Sequence, residues 1–221
     1  GNDANGGTDL TEVNLAAVDQ ATDTPTNNFC TCNPLDQTNV GGSSATMAEG
    51  NLKWTSAGNS TSQSYMKGTF GLTAGKWYWE AKTTNHNSGR GFSFGVAGSN
   101  ANVNADTNAG DLRSSDPHTI LANADSGNSA TMKDGSNVTT GLTSAAEDAI
   151  VSIALDLDNQ KFWYAINGTW VNSGDPAAGS NAPATVDDGV TYLPAWSDYG
   201  YGDATTLEFN FGGCPAFAIS S

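Results

Sequence analysis

The stretch IVSIALDLDNQKFWYAINGTW, residues 150–170, decides how the chain is read. Val151, Ile153 and Leu155 alternate with Ile150, Ser152 and Ala154; after a break, Phe162, Tyr164 and Ile166 alternate with Trp163 and Ala165. Period-two alternation of β-branched and aromatic residues marks a strand. Between the two runs lies Asp156-Leu157-Asp158-Asn159-Gln160, a cluster of turn formers, and Asn167-Gly168 supplies a second turn in which positive φ is tolerated. A hairpin apolar on both faces is not stable alone and must sit inside a larger sheet.

The rest of the chain supplies that sheet. Lys76-Trp77-Tyr78-Trp79-Glu80-Ala81-Lys82 is the second-strongest strand signal, with Trp77, Trp79 and Ala81 on one face and Tyr78, Glu80 and Lys82 on the other. Further strands are expected at residues 29–32, 52–54, 65–70, 92–97, 119–122, 130–133, 192–196 and 206–211. Pro194 marks its strand as an edge or bulged one. Residues 198–203 read as a loop. Residues 1–22 read as an N-terminal arm with a weak helical pattern over 10–18, and residues 23–221 as a single domain. Many short strands, frequent turn signals and no amphipathic helix give an all-β, two-sheet antiparallel sandwich with long polar loops.

Composition narrows the function. The 221 residues carry 8 basic and 23 acidic side chains, a net charge of −15. Such a chain repels phosphate backbones and anionic lipid, so nucleic acid is excluded as a partner. No apolar run is long enough for membrane insertion as a helix, and the polar start GNDANGG carries no signal-peptide pattern.

Five phrases, in order, resemble those of SPRY domains: residues 75–80 (GKWYWE), 91–97 (GFSFGVA), 150–168, 192–195 (YLPA) and 209–213 (FNFGG). Together they cover roughly residues 50–217. The resemblance implies a concanavalin A-like sandwich whose role is recognition, generally of proteins, through loops at one end, with no catalytic residues. Residues 23–29 with 33–35, and 167–170 with 172–176, are similar to phrases of phage and other viral structural proteins. That similarity implies a virion or extracellular location, with capsid or tail subunits, a host-surface protein or a glycan as partners. It also leaves room for a longer parent protein.

Candidate ligand contacts are Trp170, Tyr199 and Tyr201, aromatics in or beside loops, with Asp198 as a hydrogen-bonding neighbour. Trp77, Trp79 and Trp163 read as core or sheet-face residues. A glycoside hydrolase would need two facing carboxylates. Asp156 and Asp158 read instead as turn residues, and Glu80 and Glu208 as solvated strand residues. His86 and His118, both in expected loops, offer no triad. The Asp- and Asn-rich loops at 106–116, 187–188 and 198–203 offer oxygens suited to Ca²⁺, but none matches a calcium-loop spacing, so no cofactor is expected. Cys30-Thr31-Cys32 lacks zinc or redox spacing. Cys30, Cys32 and Cys214 read as buried thiols, with a bridge from Cys30 or Cys32 to Cys214 as the alternative. Asn59, Asn137 and Asn167 head glycosylation triplets relevant only in a secretory setting.

Overall fold

A computed structural model describes residues 28–39, 45–57, 64–85, 92–101, 119–123, 130–134, 136–140, 145–198, 204–213 and 217. The N-terminal arm, its expected helix and the loop histidines lie outside these residues.

Among the described residues, fourteen strands form two seven-stranded sheets. The first sheet contains β1 (Cys32–Asn39), β4 (Ser64–Gly68), β13 (Tyr192–Asp198), β6 (Phe92–Gly98), β7 (Thr119–Asn123), β8 (Ala130–Lys133) and β9 (Ser136–Thr140), in that spatial order. The second contains β12 (Thr169–Trp170), β11 (Lys161–Ile166), β10 (Ile150–Asp156), β5 (Lys76–Asn85), β14 (Thr206–Asn210), β3 (Lys53–Thr55) and β2 (Thr46–Ala48). All strand pairs are antiparallel. The two-sheet sandwich expected from the sequence is present.

The opening hairpin lies in the interior of the second sheet. Ile153 faces Tyr164 on one side and Trp79 on the other; Leu155 likewise faces Phe162 and Trp77. This register puts Val151, Ile153 and Leu155 of β10, Phe162, Tyr164 and Ile166 of β11, and Trp77, Trp79 and Ala81 of β5 on one surface, because side chains alternate with period two. The first sheet answers with Met66, Phe94, Val96 and Trp196. Trp196 meets Phe209 of the second sheet with ring centroids 4.2 Å apart. Phe209 in turn stacks on Phe211 at 5.4 Å. One continuous core joins the two inner faces.

Burial continues on the outer faces. Trp163 points away from the core yet is 1% exposed, because residues 174–181 lie over it. Its indole N–H donates to the Ser180 carbonyl at 2.8 Å, and Lys161 Nζ donates to the Gly179 carbonyl. Gly174 approaches so closely that a Cβ there would stand 2.8 Å from the Trp163 ring. On the other sheet, Lys67 is buried; its ammonium pairs with Asp36 at 3.1 Å and donates to the Ser99 and Ala101 carbonyls.

Two expectations change. β13 is an interior strand, between β4 and β6, and not an edge. Pro194 is tolerated because it pairs with Val96 of β6, whereas the β4 ladder begins one residue later, at Ala195. A residue without an N–H belongs where a ladder is one-sided. The strand expected at residues 29–32 instead runs over Cys32–Asn39, with a bulge between Cys32 and Gln37. β2 and β9 had no sequence signal.

Asp156 and Asp158 are turn residues, as read. Asp156 accepts from the Asn159 backbone N–H at 3.0 Å and its Nδ2 at 2.9 Å, and pairs with Lys76 at 3.4 Å. Burial raises its pKa, but the bonds from Asn159 and Lys76 outweigh this and hold the carboxyl below its ordinary 3.8. Asp158 accepts from the Gly75 N–H at 2.8 Å, tying the hairpin turn to the turn before β5.

Two predictions follow from this packing. Trp196→Ala leaves a large void at the meeting of the sheets and lowers unfolding stability by about 3–5 kcal/mol, measured by denaturant melts. The depressed Asp156 carboxyl stabilises the fold above its unfolded pKa, and this contribution is lost as pH falls through its folded pKa. The stability gap between wild type and Asp156→Asn is therefore full above about pH 5 and closes below 3.8.

Candidate functional site

Of the four sequence-predicted contacts, Trp170 and Asp198 fall among the described residues. Tyr199 and Tyr201 lie outside them. Trp170 is half-buried in the short edge strand β12, opposite Ala165. Asp198 is not in a loop: it ends β13, is 3% exposed, and its carboxylate accepts a short hydrogen bond from Ser56 Oγ. The same Ser56 oxygen accepts from the Thr205 N–H at 2.8 Å. Asp198 therefore helps pin one sheet to the other where the core ends. Its sequence neighbours suggested a loop, but its parity with Pro194 and Trp196 points it inward.

The opposite end of the sandwich carries an open recess. The β14 ladder along β5 ends at the pair Asn210 and Glu80, leaving a flank of β5 from Lys76 to Trp79 beyond it. Into that gap fold the segment before β1 and the segment after β14. A cavity of about 250 Å³ results, walled by Phe29, Cys30, Phe70, Leu72, Pro194 and Phe211, with Trp77, Tyr78 and Trp79 along β5 and Asn28 as its polar member.

The walls are held by backbone and by close packing. Leu72 exchanges two hydrogen bonds with Tyr192, at 2.7 and 2.9 Å. Thr69 and Thr31 exchange two more, at 2.9 and 3.0 Å. Phe29 lies against Gly213, where an added Cβ would stand 2.9 Å from its ring, and Gly212 turns there at φ +93°. Cys30 Sγ occupies the space a Cβ at Gly68 would need. Phe211 is fixed by its stack on Phe209.

Trp77 and Tyr78 are 41% and 42% exposed, unlike the large aromatics that fill the core. Trp77 shares the inner face with Trp79, which suggested burial. It stands, however, at the second residue of β5, beyond the last pair that β5 makes with β14. Its indole N–H is spent on the Ala74 carbonyl of its own turn, at 2.8 Å, which leaves the ring as the group presented outward. The signal available in the sequence was position: Gly75, which adopts φ +85°, turns the chain immediately before β5. Tyr78 projects from the other face, and its hydroxyl donates to Glu80 Oε1 at 2.5 Å. Glu80 is fully buried and also accepts from Ser152 Oγ at 3.2 Å.

The carboxylates considered for glycoside hydrolysis each have local partners. Glu208 pairs with Lys53 at 3.0 Å, Asp156 with Asn159 and Lys76, Asp158 with Gly75, and Glu80 with Tyr78 and Ser152. Glu80, expected to be solvated, is instead buried beneath neighbouring side chains. Among the described residues no group of three His, Cys, Asp or Glu is placed to hold a metal ion. Asp187 of the expected acidic loop pairs with Lys133 at 2.6 Å. Cys30 and Cys32 are buried free thiols; Cys214 lies outside the described residues. Burial pushes both thiols up, and the neighbouring Cys30 adds to the rise at Cys32.

No family model matches the chain, and no curated protein matches it. Solved structures do. The SPRY domain of human HERC1 superposes with a TM-score of 0.60 at 18% identity, covering 85% of this chain and 99% of that one. The TRIM65 PSpry domain gives 0.54 at 9% identity, with 83% and 92% covered. A further human SPRY domain gives 0.51 at 13%, with 76% and 96% covered. The fold is therefore SPRY-like.

The raised thiol pKa values predict chemical inertness, since the thiolate is the reactive form. In a Cys214→Ser background, a thiol reagent at pH 8 labels neither Cys30 nor Cys32 of the folded protein. Both react once it is unfolded, as read by intact mass.

Proposed function

We propose that this protein is a non-catalytic recognition domain that engages a macromolecular partner through the recess and its two exposed aromatics. The observation that carries the reading is the pair Trp77 and Tyr78, held open beside a preformed apolar cavity. Large apolar residues left exposed together and rimmed by polar surface mark interaction sites, and aromatic anchors in central pockets dominate interface energetics. The walls are fixed before any partner arrives, so little ordering is needed on binding.

The SPRY-like fold supports a binding role by analogy of architecture. The engaged carboxylates favour binding over glycoside hydrolysis. The phrase-level similarity to viral structural proteins supports the finer proposal, a virion component such as a tail fibre, capsid fibre or decoration protein. A high negative charge suits a displayed subunit that must avoid non-specific adhesion.

Selection from a random peptide library, with a glycan array in parallel, tests the reading. Wild-type protein selects ligands whose affinity falls at least tenfold, about 1.4 kcal/mol, in Trp77→Ala and Tyr78→Ala variants of unchanged melting temperature. Selected ligands that bind both variants as well as wild type would place recognition elsewhere on the molecule.

A further inference from the structure

We infer that the recess is the socket for Leu35 of a second copy of this chain. The inference rests on the recognition reading above and names the partner.

Leu35 stands apart from the other apolar side chains. The large hydrophobics left exposed among the described residues are Trp77 and Tyr78 at the recess, Val138 at 49%, and Leu35 at 95%. Leu35 therefore packs against almost nothing in its own chain, and it does not line its own recess. It belongs to the bulge that interrupts β1 between Cys32 and Gln37. β1 is an edge of the first sheet, and a bulge there blunts the edge against stray strand pairing. That task asks for no leucine, since a polar side chain would serve it as well.

The bulge is braced. Pro34 fixes φ one residue before Leu35. Asn33 Oδ1 accepts from the Leu35 N–H at 3.1 Å, and Gln37 Nε2 donates to the Pro34 carbonyl at 3.2 Å. Asp36 pairs with buried Lys67 at 3.1 Å and accepts from the Tyr65 hydroxyl at 3.0 Å. The leucine is presented on a backbone already ordered, so docking it costs little further ordering.

Size and charge fit it to the recess. A dry apolar cavity of about 150 Å³ takes a benzene-sized group, so about 250 Å³ admits a leucine side chain. No carboxylate, guanidinium or amine lines the recess. A charged occupant would be desolvated there without a counter-charge, whereas an aliphatic one loses nothing. Two copies of net charge −15 repel each other. Both halves of this contact are relieved of that repulsion locally: Lys67 neutralises the Asp36 beside Leu35, and Lys76, next to Trp77, neutralises Asp156. The chain has only 8 basic residues, and two of them fall at these points.

Knob and socket are different surfaces of one copy, so a single contact leaves a free knob and a free socket and the assembly extends from copy to copy. Burying one leucine is worth about ten- to a hundredfold in affinity, and it covers a small part of the roughly 1,600 Å² of a stable interface. The contact is weak between free copies and takes hold where copies are held close together.

Sedimentation velocity of the whole chain tests it. Wild type self-associates reversibly in roughly the millimolar range, more strongly in about 0.5 M than in about 0.05 M salt, because screening removes the repulsion. Leu35→Asp, at an exposed position, folds and weakens the association about tenfold or more. The socket is read in the same protein: in 5-fluorotryptophan-labelled Leu35→Asp, which keeps the recess, unlabelled wild type shifts the Trp77 ¹⁹F resonance and unlabelled Leu35→Asp does not. Self-association that Leu35→Asp leaves unchanged overturns the inference, as does association through Leu35 that leaves Trp77 unmoved. A wild-type chain that stays monomeric at about 1 mM and does not move the Trp77 resonance overturns it too. If library-selected ligands still depend on Trp77 in that case, the recognition reading stands with a different partner; if they bind Trp77→Ala as well as wild type, both fall.

Discussion

Trp196 and Phe209 come from different sheets and meet in the middle of the molecule, 4.2 Å between ring centroids. Much of the architecture follows from the need to keep that contact dry. Packed sheets stand about 10 Å apart, a gap that large side chains from both inner faces fill. The alternation in β10, β11, β5 and β14 delivers Ile153, Tyr164, Trp79 and Phe209 to one side of that gap, and β4, β6 and β13 deliver Met66, Phe94 and Trp196 to the other. At one end, Ser56 closes the gap by accepting from Thr205 in one sheet and donating to Asp198 in the other. A slip of one residue in any of these strands would turn its apolar row to solvent, so the register is strongly specified.

The recess is a by-product of the same geometry at the other end. β5 is longer than β14, and where β14 stops that flank of β5 has no strand partner. Phe29, Phe70 and Phe211 crowd into the gap without filling it. Trp77, carried past the last pair with β14 on the inner face, is left 41% exposed. A residue patterned for burial becomes a surface aromatic because its strand outruns β14 on one flank. That is a structural route to a binding surface without a dedicated loop.

The fold was legible because its signals are local and repeated. The hairpin at residues 150–170, the run KWYWEAK and the closing run TLEFNF each state their own period, and together they demand two facing sheets. What the sequence concealed depends on neighbours. Pro194 looked like an edge residue, yet its strand is interior, because β4 begins pairing only at Ala195. Asp198 sits among Tyr and Gly residues that suggest a loop, but strand parity turns it into the core. Trp77 and Trp79 share a face and differ only in how far the opposing strands reach, information that no window around them contains. β2 is only three residues long and β9 is mostly polar, so neither states a period of its own, and each is paired along the strand beside it.

The account turns on Trp77 being an open aromatic anchor while most other tryptophans are sealed. Incorporation of 5-fluorotryptophan resolves the six tryptophans by ¹⁹F NMR, and a soluble paramagnetic agent reports which of them meet solvent. The account predicts strong broadening of the Trp77 resonance, assigned by Trp77→Phe, with Trp54, Trp79, Trp163 and Trp196 protected. A Trp77 resonance as protected as those four would contradict it, since the recess would then be a closed part of the core.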